Sequence, residues 1–157
     1  MIYLDNSAST KPRKEVIDVL VQTLEEDYAN PDAIHDFSHK ILLKIKNAKK
    51  TVADYLKVEA DRIYFTAGGG DGNNLVLQGI INANSRTKKH LVTTKIEHPS
   101  VYEVFRHYEN IGFEVDYLNV DKDGFVNLEE LENAIREDTA IVSIGAVNSE
   151  TGAIQDL

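Results

Sequence analysis

The chain has 157 residues, enough for one domain of ordinary size, and 42% of them are hydrophobic, enough for a core. Twenty-six acidic against 17 basic residues give a formal charge of −9, and no Lys/Arg cluster interrupts that balance, so general nucleic-acid binding is disfavoured. The absence of cysteine removes disulfides, thiolate metal sites and a cysteine nucleophile. No segment has the length and apolarity of a membrane span, and the N-terminus carries neither a basic start nor a long apolar run, which makes the cytoplasm the default expectation.

Ile2-Tyr3-Leu4 reads as a short strand, followed by turn formers and cap residues from Asp5 to Thr10. A helix is expected from Lys11-Pro12-Arg13, with Val16, Val19, Leu20, Thr23 and Leu24 on one face as far as Tyr28. Asn30-Pro31-Asp32 ends it, and His35 lies in the connection as an exposed loop histidine. Asp36 or Ser38 would cap a second helix to about Leu56, whose buried stripe is Ile41, Leu42, Ile45, Ala48, Val52 and Leu56. Lys44, Lys46, Lys49 and Lys50 fall mostly off that stripe and read as a solvated face.

Ile63-Tyr64-Phe65-Thr66 is a short β-rich run that passes through Gly68, Gly69, Gly70 and Gly72 into an apolar helical pattern from Leu75 to Ile81. Strand, glycine turn, helix is the reading. Such a turn aims unpaired backbone N–H groups outward beside the positive end of a helix dipole, and glycine permits close approach or positive φ. An anion is the ligand that suits it; an empty tight turn is the structural alternative. No Lys-Ser or Lys-Thr follows, so a nucleotide-triphosphate P-loop is excluded, and the dinucleotide fingerprint fits poorly.

His90 to Thr94 is the next strand, and Glu97-His98-Pro99-Ser100 leads into a helix through Val101, Val104, Phe105 and Tyr108. His98 thereby sits between a strand end and a helix start, where open α/β sheets carry ligands, although ordinary capping would also place a histidine there. Gly112 ends that helix and residues 113 to 118 alternate as a strand. Residues 119 to 130 resemble a calcium loop in their acidic and amide positions, but a strand rather than a helix enters them, so a plain turn before a short helix from Leu128 to Arg136 is expected, with no metal site. Thr139 to Ala146 reads as a buried strand with polar residues following it to Gln155. The expected class is α/β: N-terminal helices, then alternating strands and helices around a partial, mostly parallel sheet.

Five stretches in order along the chain resemble the N-terminal part of the NifS/IscS-type cysteine desulfurases, which are aminotransferase class V enzymes. They are Tyr3 to Thr10, Asn30-Pro31 with His35, Phe65 to Asn74, Glu97 to Val101, and Asn148 to Gly152 with Gln155. The resemblance implies part of a fold-type-I large domain, in which residues 1–58 form an N-terminal helical segment and 59–157 the first part of the cofactor domain. It implies pyridoxal phosphate as cofactor, with its phosphate on Gly68, Gly69, Gly70 and Asp71, its ring stacked on the catalytic His98, and Asn148 and Ser149 beside it. L-cysteine as substrate, alanine and persulfide sulfur as products, iron–sulfur cluster assembly as the setting, and a homodimer or a complementing C-terminal chain as partner are implied likewise.

The sequence departs from that family's pattern at Gly70, where threonine or serine is usual, at Asp71, where glutamate is usual, and at Ser149, where a second asparagine is usual. The Schiff-base lysine, the aspartate that pairs with the pyridine nitrogen and the acceptor cysteine all belong to later parts of such enzymes. Ser38-His39-Lys40 has the letters of the lysine motif but sits in the second helix, where a solvent-facing lysine is expected. The implied chain is thus inactive alone, and the competing reading is a degenerate, non-catalytic binding or scaffold subunit.

Overall fold

A computed structural model describes residues 2–156 and resolves them into two compact units, Met1–Phe65 and Thr66–Leu157. In the first unit, α1 (Lys14–Glu26) follows a non-helical entry and buries none of its residues; Val16, Leu20 and Leu24 of its apolar face are all exposed. The helix period is satisfied locally, while the face it creates has no cover among the described residues. The helix starts one turn later than Lys11-Pro12 suggests, with Arg13 in extended backbone as its cap.

In α2 (Asp36–Leu56) the N-terminus is capped by His35, whose Nδ1 accepts the Ser38 N–H at 3.2 Å. His35 is the exposed loop histidine expected, and it rather than Asp36 or Ser38 is the cap: an imidazole nitrogen does here what a Ser or Asp oxygen usually does. The expected stripe is only partly realised. Ile41 is buried, but Val52 and Leu56 are exposed, and Ala53 and Ser38 are buried instead. Lys57 ends the helix in the left-handed region (φ 55°), its N–H and that of Val58 closing on the Ala53 carbonyl. The lysine face is solvated as expected, with Lys44 paired to Asp27 and Lys50 to Asp54.

Neither Ile2–Leu4 nor Ile63–Phe65 forms a strand. A strand requires a hydrogen-bonded neighbour, and among the described residues neither has one; Tyr64 and Phe65 stay exposed.

The second unit is a three-layer α/β arrangement built from α3 (Gly69–Asn84), β1 (His90–Thr94), α4 (Pro99–Asn110), β2 (Glu114–Leu118), α5 (Leu128–Ala134) and β3 (Thr139–Ser143). The three strands are parallel in the order β2-β1-β3. Because side chains alternate along a strand, β1 packs Leu91 to one side and Val92 to the other. Leu91 joins Leu77, Ile81, Val101, Val104, Phe105, Tyr108 and Phe113 under α3 and α4, whereas Val92 joins Leu118 and Val126, with Leu131 and Ala134 of α5 against them. Central β1 is accordingly buried along its whole length. Burying each large apolar side chain contributes on the order of 2 kcal/mol.

At the opposite edge from the loops discussed below, fully buried His90 ties the strands together. Its Nδ1 lies 2.8 Å from Thr139 Oγ1 and its Nε2 3.1 Å from Asp116 Oδ2, which leaves no ring nitrogen unsatisfied.

α5 and β3 are shorter than the sequence suggests. The chain leaves helical backbone at Ile135, and β3 stops at Ser143, opposite Thr93 of β1. Residues 119 to 126 form a tight turn closed by a Val120–Val126 bridge, entered from β2 as expected. The Asp121 carboxylate accepts the Asp123 and Phe125 N–H groups, both at 2.9 Å, and these bonds, the one from Phe125 foremost, hold it below the usual carboxylate range. Gly124 needs to be glycine: its φ is +87°, and a Cβ there would lie 3.0 Å from Thr151 Oγ1.

Candidate active site

Parallel strands end at a common edge, and the loops after β1 and β3 meet there. They enclose a cleft of about 340 Å³ whose walls include Asn73, Thr94, Glu97, His98, Gly145, Asn148, Ser149 and Gln155.

The floor of this cleft is a hydrogen-bonded junction that the sequence reading did not assign. Glu97 Oε1 accepts both the Thr94 hydroxyl and the Gly145 N–H at 2.9 Å, so one carboxylate fixes the end of β1 to the loop after β3. Asn148 completes the junction from the other side. Its Nδ2 donates to the Ile96 carbonyl at 3.0 Å, while its Oδ1 accepts the N–H groups of Glu150 and Thr151 at 2.9 and 2.8 Å. Asn148 therefore acts as a loop fastener, with both ends of its amide occupied. Neighbouring Ser149 is exposed, lines the cleft and makes no hydrogen bond with its side chain among the described residues. Gln155 fastens the loop to the 121–126 turn, accepting the Val126 N–H at 3.0 Å and donating to the Gly124 carbonyl at 2.7 Å.

His98 caps α4, with Pro99 at the first helical position. Its Nδ1 accepts the Ser100 N–H at 3.1 Å and lies 2.8 Å from Ser100 Oγ, which in turn accepts from Asn73 Nδ2 at 2.9 Å. Both a helix cap and a cleft residue, His98 thus fulfils the two roles its position allowed. The chain Asn73–Ser100–His98 joins the first turns of α3 to the cleft.

The glycine loop differs from the expectation in one respect. Helix α3 already begins at Gly69, so Gly69, Gly70 and Asp71 form its first turn and only residues before them turn. None of these glycines has positive φ; Gly68 is extended at 171°. Their value lies in access: a Cβ at Gly68 or Gly69 would meet nothing within 4 Å, so open space stands over the helix N-terminus. The N–H groups of Gly69, Gly70 and Asp71 have no intrahelical acceptor, the first such bond running from Gly72 to the Gly68 carbonyl. Asp71 is held in place by accepting the Ala67 N–H at 3.1 Å. Three unpaired donors at a positive dipole end, uncrowded by side chains, fit a phosphate group. Gly70 supplies a donor but no hydroxyl, and its Cβ position faces the Ser100 Cβ at 3.7 Å.

Thus Gly68, Gly69, Gly70 and Asp71 gather at the α3 N-terminus, while His98, Asn148 and Ser149 gather at the cleft. Asn73, Glu97 and Ser100 are additional members. Their signal in sequence was weak: a polar residue within a glycine-rich run and two neighbours of a histidine carry no pattern until β1 and β3 are set side by side. Lys40 is exposed on α2, in the first unit. Among the described residues no group of His, Asp or Glu is arranged to hold a metal ion, and no helix is long and apolar enough to cross a membrane.

The sequence profile of aminotransferase class V matches residues 2–157. The cysteine desulfurase IscS of Dictyoglomus turgidum is 38% identical over 156 residues, which is 99% of this chain and 40% of that protein. The mitochondrial cysteine desulfurase of Saccharomyces cerevisiae is 40% identical over 99% of this chain and 32% of its own length. Among solved structures, a NifS-like protein superposes with a TM-score of 0.95 at 35% identity, covering 99% of this chain and 43% of that one. SspA, in complex with cysteine, gives 0.92 at 36% identity, covering 98% and 44%. The chain spans about 40% of the length of the curated relatives it matches. The chain belongs to the aminotransferase class V family and corresponds to the N-terminal part of its NifS/IscS-type cysteine desulfurases.

Proposed function

We propose that this chain is the N-terminal portion of a pyridoxal-phosphate-dependent enzyme that takes sulfur from L-cysteine, leaving alanine and a persulfide. The observation that carries the reading is the convergence of an open helix N-terminus, His98 and Ser149 around one sheet edge. The Gly69, Gly70 and Asp71 N–H groups would hold the cofactor phosphate, and His98 and Ser149 of the cleft wall would hold its ring. Glu97 and Asn148 hold the two loops at a fixed separation, so that the ring groups meet the substrate without reorganisation. When bound, pyridoxal phosphate supplies an electron sink for the substrate carbanion.

Both units then belong to a single, incomplete large domain of a cytoplasmic homodimer, or of a dimer completed by a second polypeptide. With no cysteine among these 157 residues, the acceptor thiol is not one of them. The test is alanine formation from L-cysteine by the full-length product of the locus, with excess dithiothreitol supplied to reduce the persulfide to sulfide, alongside its absorbance with pyridoxal phosphate before and after borohydride. A borohydride-sensitive band with alanine formation is expected. The departures at Gly70 and Ser149 favour a second reading, a non-catalytic binding subunit, and absence of both signals would leave that one standing.

A further inference from the structure

We propose that Asn73 and Ser100 are positioning residues that select, for the neutral His98 ring, the tautomer protonated at Nε2, so that the ring offers an N–H donor to the cleft. The Ser100 backbone N–H can only donate, and it points at Nδ1 at 3.1 Å, so Nδ1 carries the lone pair. The Asn73 amide nitrogen also can only donate, and it points at Ser100 Oγ at 2.9 Å. With its oxygen accepting from Asn73, the Ser100 hydroxyl turns its proton to Nδ1, 2.8 Å away. Two donors therefore converge on one nitrogen, and the proton of the neutral ring resides on Nε2, which has no hydrogen-bond partner among the described residues. Which nitrogen of a histidine faces a ligand is set by the bond the other nitrogen makes.

The relay spans α3 and α4, so the same contacts couple the turn beneath the phosphate cradle to the ring at the cleft. The consequence for catalysis rests on the cofactor reading above; the tautomer itself does not. His98 enters the reaction as a hydrogen-bond donor through Nε2, and its Nδ1 takes no part in proton transfer.

The experiment is a long-range proton–nitrogen correlation spectrum of the full-length polypeptide, labelled with ¹⁵N-histidine and recorded without cofactor. His98 is assigned by the loss of its signal in His98→Gln. Wild type is expected to show Nε2 protonated and Nδ1 as a hydrogen-bonded acceptor. Asn73→Asp replaces the donor by an acceptor, which draws the Ser100 proton away and turns an oxygen lone pair toward Nδ1. The ratio of tautomers then shifts toward Nδ1 protonation by about fivefold, the effect of one neutral hydrogen bond. Ser100→Thr keeps the wild-type signature, and adding Asn73→Asp to Ser100→Ala changes nothing further. A wild-type ring protonated at Nδ1, or an Asn73→Asp ring unchanged from wild type, overturns the proposal. Pyridoxal phosphate binding is scored separately by absorbance, so a protein that shows the tautomer and binds no cofactor refutes the functional reading and leaves this inference intact.

Discussion

Asn148 and Ser149 are adjacent, and the geometry assigns them opposite jobs. Replacing Asn148 by alanine removes the bond to the Ile96 carbonyl and strands the Glu150 and Thr151 N–H groups. Each neutral bond contributes about 0.5–1.5 kcal/mol net, and a partly solvated loop lies in the lower half of that range, so the three together contribute about 2 kcal/mol. Ser149 is exposed and unbonded through its side chain, so Ser149→Ala changes stability by less than about 0.5 kcal/mol. Urea unfolding of the two variants measures the difference. Cofactor affinity separates them the other way: Ser149→Asn lengthens the side chain toward the ring oxygen and raises affinity for pyridoxal phosphate about fivefold, one added neutral hydrogen bond. Equal stability losses in Asn148→Ala and Ser149→Ala, or an unchanged affinity in Ser149→Asn, would refute the division of labour.

Three further substitutions probe other parts of the account. Gly69→Val places a branched side chain in open space over the α3 N-terminus, so the fold is retained while phosphate affinity falls about tenfold or more, the equivalent of a lost charge-assisted hydrogen bond, as isothermal titration would report. Phe105 is fully buried between α4 and the sheet, and Phe105→Ala lowers stability by about 3–5 kcal/mol in urea unfolding, with far-UV circular dichroism checking that helix is kept under native conditions. Asp121 is favoured as the carboxylate by the Phe125 and Asp123 N–H groups, so its contribution is complete above the ordinary carboxylate value and disappears as pH falls through the lowered one. Asp121→Asn keeps an accepting oxygen but does not titrate, and a pH series of unfolding curves shows a shallower acid limb for it than for wild type.

The parts of the fold that sequence reveals are those whose residues satisfy themselves nearby. Val101, Val104, Phe105 and Tyr108 recur at helical spacing, and that pattern maps directly onto burial. Ile63–Phe65 has strand composition but no ladder partner among the described residues, and composition cannot reveal a missing neighbour. The α2 stripe fails for a related reason: periodicity fixes which residues share a face, whereas the packing partner decides whether Val52 and Leu56 are covered. His98, Asn148 and Ser149 were singled out as motif residues and line one cleft, but that Asn148 fastens a loop while the Ser149 side chain is left unbonded was not legible. Asn148 and Ser149 are adjacent polar residues in sequence, and what separates them includes the Ile96 carbonyl, fifty-two positions away from Asn148. Glu97 was hidden for the same reason, since its partner Gly145 belongs to another strand's loop.

The most direct test of the central claim is a proton–nitrogen amide correlation spectrum of the full-length polypeptide titrated with pyridoxal phosphate. The account predicts that shifts within these residues concentrate at Gly68 to Asp71, at His98 and Ser100, and in the loop from Gly145 to Ser149. Saturable shifts centred instead on the 119–130 turn or on the α2 lysines, with the α3 N-terminus and His98 unmoved, would contradict it.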